Sequence, residues 1–229
     1  MSDEPQIKIV KDGPYLVSGG VKLDHKVMVS VGHHREYHEG ESLPQAQNYA
    51  LCRCGHSKNM PFCDGSHTAA HFDGTEVASK VPFDERVEVF TGPTLDLYDD
   101  NRCAFARFCH REDGDVWTLT EESGNERLRE EAIKAAIDCP AGRLVQHDKR
   151  ADYAEIEPSF EPEIDVLEDP DKQCSGPLFV KGRLPLKSAD GSAYEVRNRY
   201  ALCRCGGSQN KPFCDAMHVN LGFNDGLKW

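Results

Sequence analysis

Tyr49–His67 reads YALCRCGHSKNMPFCDGSH, and Tyr200–His218 reads YALCRCGGSQNKPFCDAMH. Fourteen of the nineteen positions are identical, and the shared Cys and His residues are all displaced by 151, as from Cys52 to Cys203. The likeness extends outward from both copies. IKIVKDGPYLVSGGVKLD (Ile7–Asp24) precedes the first, and EIDVLEDPDKQCSGPLFVKGRLPLKS (Glu163–Ser188) precedes the second. Each flank holds a short alternating apolar run, a Gly-Pro pair and a second run, YLV after Gly13-Pro14 and LFV after Gly176-Pro177. Period-two alternation bounded by Gly and Pro predicts short strands joined by turns. A third strand is expected at Tyr49–Leu51 and again at Tyr200–Leu202, and similar tails follow, HFDG (His71–Gly74) and GFNDG (Gly222–Gly226). The first unit alone has a His- and Glu-rich insertion, VSVGHHREYHEGESLPQ (Val29–Gln45).

Between the copies the pattern changes. ERLREEAIKAAID (Glu126–Asp138) places Leu128, Ala132, Ile133, Ala136 and Ile137 at helical spacing among strong helix formers. Cys139-Pro140 should end that helix, because proline pushes the preceding residue out of the helical region. ADYAEIEPSFEPEIDVLEDPDK (Ala151–Lys172) is acidic and proline-punctuated, and reads as a linker running into the first strand of the second unit. The expected division is 1–95, 96–150 and 151–229.

Units of roughly 60–80 residues bury little surface and usually need a staple. An apolar fraction of 38% and a mean hydropathy of −0.61 make that need plain, and ten cysteines can meet it. The start, SDEPQIKIV, has no basic region and no apolar run, so no signal peptide is expected; no apolar run approaches a membrane span. A cytoplasmic, reducing location follows, where clustered cysteines favour metal over disulfides. The balance of 27 basic against 39 acidic residues, net −12, repels phosphate backbones and argues against nucleic acid. It suits solubility, or steering toward a basic partner protein. No nucleophile–base pair, phosphate-cradling loop or carboxylate dyad is visible, so an enzyme is not expected.

Cys52 and Cys54, one residue apart, can point to the same side of an extended backbone. Cys63 and His67 complete a set of three thiolates and one imidazole, and Cys203, Cys205, Cys214 and His218 repeat it. Such a set suits zinc or an iron–sulfur cluster. Zinc modules usually pair cysteines as C-x(2–4)-C, whereas a two-iron diamond offers one iron to the close pair and one to the distant pair.

These residues resemble the CDGSH iron–sulfur domain family, of which mitoNEET is the familiar member. The family pattern is C-x-C-x2-S/T-x3-P-x-C-D-G-S/T/A-H. The first copy fits throughout, with Cys52, Cys54, Ser57, Pro61, Cys63, Asp64, Gly65, Ser66 and His67. The second keeps Cys203, Cys205, Ser208, Pro212, Cys214, Asp215 and His218 but has Ala216-Met217 for Gly-Ser, which puts its local turn and solvent access in question. The resemblance implies a 2Fe–2S cluster in each unit, with the His on the more exposed iron. MitoNEET-type proteins are dimers with intertwined strands, so the tandem units imply an internal pseudo-dimer within a monomer. The fold class is then α+β, two small β-rich units with a ferredoxin-like insert. A neutral imidazole in place of a thiolate raises the potential. Its protonation competes with iron, so acid should release the cluster and His67→Cys should slow that loss. Equal loss rates in variant and wild type would contradict this.

Supporting residues each have a plainer role beside the functional one. Asp64 and Asp215 either cap the following turn or bond to the ligand loop. Ser57 and Ser208 either donate to cluster sulfur or hold the turn, and Pro61 and Pro212 fix the loop. Arg53 and Arg204 are solvated by default, with offset of cluster charge or contact with a partner as alternatives. His33, His34, His38, His56 and His71 read as surface histidines.

In the middle, Cys103 and Cys109 lie in RCAFARFCHR and Cys139 follows after the helix. Over about Leu97–Val145 this resembles single-cluster bacterial ferredoxins, with Ala106 in place of the middle cysteine. Three thiolates suit a 3Fe–4S cluster, or a 4Fe–4S cluster completed by His110 or water; the plainer reading is three reduced thiols. Cys174 reads as a lone free thiol in a turn. The whole chain then reads as an electron-transfer protein with two 2Fe–2S clusters and a third between, serving a redox partner protein. The alternatives are a cluster carrier for an apo-acceptor, a redox or iron sensor, and a structural zinc protein.

Overall fold

The computed structural model describes residues 4–228. The first unit contributes β1 (Gln6–Ile9), β2 (Tyr15–Ser18), β3 (Lys22–Val31), β4 (His34–Glu39), β5 (Asn48–Leu51) and one short helix, α1 (Ser66–Ala69). The middle holds β6 (Glu88–Thr91), β7 (Leu95–Asp99), a small hairpin β8 (His110–Arg111) and β9 (Gly114–Asp115), and two helices, α2 (Val116–Glu121) and α3 (Glu126–Ile137). It closes with β10 (Leu144–Asp148) and β11 (Ala154–Ile156). The second unit has β12 (Glu163–Asp169), β13 (Cys174–Lys181), β14 (Leu186–Lys187), β15 (Arg199–Leu202) and α4 (Met217–Asn220).

The two units exchange strands. One sheet has the order β14-β1-β2-β5 and the other β15-β13-β12-β3-β4. The third strand of each unit thus lies parallel to the first strand of the other, β14 on β1 and β3 on β12. The His- and Glu-rich insertion forms the β3–β4 hairpin at an edge of the larger sheet. Apolar residues from both units then fill one core. Ile7, Ile9, Tyr15, Val17 and Leu51 of the first pack with Ile164, Val166, Leu178, Val180, Leu202 and Phe213 of the second. Burying each such side chain stabilises by about 1.5–3 kcal/mol, so the joint core supplies what neither unit could alone.

The larger sheet is covered on both faces, which is why every residue of β13 is buried. Alternation sends Leu178 and Val180 into the joint core and Phe179 to the opposite face. There Phe179, Leu167 and Met28 meet Ala106 and Phe108 of the middle segment. The middle sheet, β11-β10-β7-β6, is antiparallel and packs against α2 and α3 through Leu97, Val116, Ala135, Ala136 and Leu144. The helix expected at 126–138 is α3, capped at its start by the Asn125 side chain accepting from the Arg127 amide.

The expected linker is only partly one. Ala154–Ile156 pairs with β10, so the middle sheet continues past residue 150 before the chain enters β12. No described helix is long and apolar enough to cross a membrane.

Candidate metal centres

Each ligand loop begins as a strand ends. After β5 the backbone stays extended, so the Cys52 and Cys54 sulfurs share one side, 3.7 Å apart, and Arg53 points to the other. Cys203 and Cys205 repeat this at 3.6 Å. The chain then folds back on itself. The Cys52 amide donates to the Pro61 carbonyl (2.8 Å) and the Cys63 amide to that of Ala50 (2.9 Å), which returns Cys63 beside the strand. The second loop makes the same bonds, Cys203 to Pro212 and Cys214 to Ala201, both at 2.9 Å.

The aspartates hold the next turn. Asp64 accepts from the amides of Lys58 and Ser66 (both 2.9 Å), and Asp215 from those of Gln209 (2.7 Å) and Met217 (3.2 Å). Gly65, with φ 88°, and Ala216, with φ 72°, then take left-handed conformations that start α1 and α4. Ala216 therefore keeps the same turn as Gly65, at a cost of roughly 1–2 kcal/mol. Each short helix aims its His at the last Cys: Cys63 Sγ and His67 Nδ1 are 3.4 Å apart, as are Cys214 Sγ and His218 Nδ1.

These spacings fit metal. A tetrahedral ion with metal–sulfur bonds of ~2.3 Å sets two thiolates ~3.8 Å apart, and a thiolate and imidazole ~3.6 Å apart. Both pairs of each loop fall near those values, yet the pairs stand away from each other. Among the described residues no three Cys or His donor atoms lie within 4.8 Å of one another; the one group of three donors that does is Asp24, Glu163 and Asp165. Those carboxylates are already met by Lys22 and Lys181. One zinc ion cannot reach all four loop ligands in this arrangement, whereas two irons bridged by sulfide can take one pair each. The loops are also prepared for metal. The hydrogen bond from Cys54 and nearby backbone amides lower the Cys52 pKa, and Cys205 with the matching amides lowers that of Cys203. One thiol of each close pair is thus the readier to ionise.

The two sites differ in exposure. His67 is half-buried, but His218 is only 2% exposed. Met217 and Leu221 lie against Gly207, where the first loop has His56, and help to close the second loop.

The middle cysteines line a separate small pocket, in which Cys103, Cys109 and Cys139 stand together with Ala106 among others. Positive φ at Phe105 (56°) and Arg107 (65°) bends this loop into the alternating backbone that gathers amides around anions. The Phe105 amide is 3.3 Å from Cys103 Sγ. Three separated thiols around one cavity fit a cubane-type cluster with a corner lacking cysteine, at Ala106. His110 is exposed and does not line the cavity. The three sites are contiguous. Cys139 and Cys214 share a packed cluster with Ala104, Ala141 and Ala201, and Cys54 and Cys205 form a backbone bridge where the two loops meet.

Several expected roles change. Arg53 and Arg204 are buried, not solvated, and hold the chain behind each ligand loop. Ser57 and Ser208 donate to the carbonyls of Phe62 (2.6 Å) and Phe213 (2.7 Å), so they hold the turn rather than cluster sulfur. Cys174 lies on β13 opposite Asp169, fully buried, not in a turn. His33, His38, His56 and His71 are exposed and His34 half-buried. His25, which nothing in the sequence singles out, is buried beside Glu168. The repeated Arg within C-R-C was the available signal for Arg53 and Arg204; their partners are distant in sequence.

Residues 12–68 and 175–219 match the model of the iron-binding zinc finger CDGSH type. The chain carries tandem CDGSH-type units. Between these CDGSH units, residues 90–149 match the model of a divergent 4Fe-4S mono-cluster. This is an iron–sulfur protein. No curated protein and no solved structure matched the chain.

Proposed function

We propose that the chain is an electron-transfer protein holding a 2Fe–2S cluster in each CDGSH unit and a 3Fe–4S or 4Fe–4S cluster at the middle cysteines. Cys52, Cys54, Cys63 and His67 hold the first, Cys203, Cys205, Cys214 and His218 the second, and Cys103, Cys109 and Cys139 the third. The observation that carries this reading is the donor geometry: pairs at metal spacing, with no set of three close enough for a single ion. When bound, the clusters supply one-electron redox chemistry. The chain fixes their ligands at strand ends, buries Cys203, Cys214 and His218 at the second site and packs the three sites in sequence. It works as a monomer with an internal pseudo-two-fold, serving a redox partner protein and carrying out no substrate chemistry.

Half-exposed His67 favours a second reading, release of the first cluster to an apo-acceptor. Anaerobic native purification followed by iron and sulfide analysis, with EPR of oxidised and reduced protein, separates the readings. Reversible reduction with the metal retained supports electron transfer, and an isotropic three-iron signal in the oxidised protein marks the third site. Loss of iron to an apo-acceptor favours the carrier, and zinc without sulfide overturns both.

A further inference from the structure

We propose that Glu168 and Asp225 give the second unit's centre a lower reduction potential than the first, which directs electrons toward the half-exposed His67. This rests on the iron–sulfur reading above. Arg53 and Arg204 hold equivalent places behind the two ligand loops. Their Nε atoms donate to the carbonyls of Gly13 and Gly176, both at 2.8 Å. Their Nη2 atoms donate to those of Val10 (3.0 Å) and Leu167 (2.8 Å). The guanidinium groups lie 5.2 Å from the Phe72 ring and 5.3 Å from the Phe223 ring.

The remaining partners differ in charge. Arg53 Nη1 donates to the Gly74 carbonyl at 2.8 Å. Arg204 Nη1 pairs instead with the Asp225 carboxylate, and its Nη2 also reaches Glu168 at 2.7 Å. Both carboxylate side chains are 0% exposed. Gly74 and Asp225 each stand two residues after the stacking phenylalanine, and exposed Lys11 and buried Glu168 follow Val10 and Leu167. Among the described residues Arg53 has no ion pair. Half-buried Asp12 accepts from the Gly74 amide and exposed Asp73 from that of Thr75; neither forms an ion pair with Arg53, and water screens Asp73.

A buried cation with no carboxylate bonded to it therefore backs the first loop. Behind the second, Asp225 alone cancels Arg204, and Glu168, once ionised above pH 7, leaves a net negative charge. Reduction adds negative charge to an anionic centre, and potential follows net charge and solvent exposure. The lone Arg53 favours that added charge, and the Glu168–Arg204–Asp225 group does not. Burial of His218 acts in the same direction.

The test is an optical and EPR redox titration of the full iron-loaded chain at pH 8.5, where Glu168 is ionised. Wild type should show two separate 2Fe–2S waves. His67→Cys, which adds a thiolate to the first centre, should move the higher wave and so assign it. Asp225→Asn and, as the near-isosteric check, Glu168→Gln should raise the lower wave and leave the other in place. Gly74→Asp, whose Cβ would lie 2.1 Å from Arg53 Nη2 and must displace the guanidinium as the carboxylate pairs with it, should lower the higher wave. Coincident waves in the wild type, or His67→Cys moving the lower wave, would overturn the proposal while leaving the iron–sulfur reading intact. So would both carboxylate variants leaving the lower wave unmoved. Absence of sulfide would overturn that reading first.

Discussion

Ser208 shows how single polar groups fix a ligand loop. Its hydroxyl donates to the Phe213 carbonyl at 2.7 Å, accepts from the Asn210 amide at 3.0 Å, and is 1% exposed. Ser208→Ala leaves both groups without a partner, and the expected loss is about 1–3 kcal/mol of stability, read by chemical denaturation. The redox potential should hold, because the hydroxyl bonds the turn; a moved potential with unchanged stability would contradict that role. Glu168 adds a pH dependence. Burial, the largest cause, pushes it up from 4.5 to about 7 despite Arg204 beside it. The native state then keeps a proton that the unfolded chain has lost, so this contribution is present below pH 4.5 and fades as pH rises through 7. Its slope reaches at most about 1.4 kcal/mol per pH unit. Urea unfolding at pH 5 and 7.5 should show that decline in the wild type and a shallower one in Glu168→Gln.

At the scale of elements, the two ligand loops are each other's support. Gly206 has φ +79°, and a Cβ there would lie 2.4 Å from the Cys54 carbonyl oxygen; Gly55 stands in the same relation to Cys205 at 2.5 Å. A side chain at either position must push the loops apart. Gly206→Ala should therefore lower iron content at both CDGSH units, although it alters one, and reduce the melting temperature. Loss confined to the second unit, resolved by EPR, would show that the loops are independent. The exchanged strands explain the coupling: β1 and β12 each take a neighbour from the other unit, so neither sheet is complete alone. β14 is only two residues long, and no sequence pattern marks where it pairs.

Across the whole molecule the middle segment breaks the near-symmetry. It covers one face of the larger sheet, where Phe108 and Ala106 meet Leu167 and Phe179 of the second unit and Met28 of the first, and it is pinned there by two arginines. Arg107 makes two 2.8 Å bonds to Asp169, and Arg199 bonds the carbonyls of Cys139 and Leu144 and the Glu157 carboxylate. Arg199 is 1% exposed at its side chain, and removing one member of a buried pair costs about 3–5 kcal/mol. Arg199→Gln should thus deplete iron at the middle cysteines selectively, with the first-unit signal retained; equal loss from all sites would refute a local role. The close Cys–Cys and Cys–His pairs, the repeated strands and α3 were legible in the sequence because each depends on local spacing and period. Cys52, Cys54, Cys63 and His67 sit within one loop, so their spacing alone nearly fixes their chemistry. What neutralises Arg204 and which strands pair between units depend on residues more than twenty positions away. By itself the sequence determined that two like metal loops flank a third cysteine site. Only the tertiary structure decided that they are unlike in charge and burial, because a middle segment can pack on one face only and an Asp can reach an Arg only once the chain has folded.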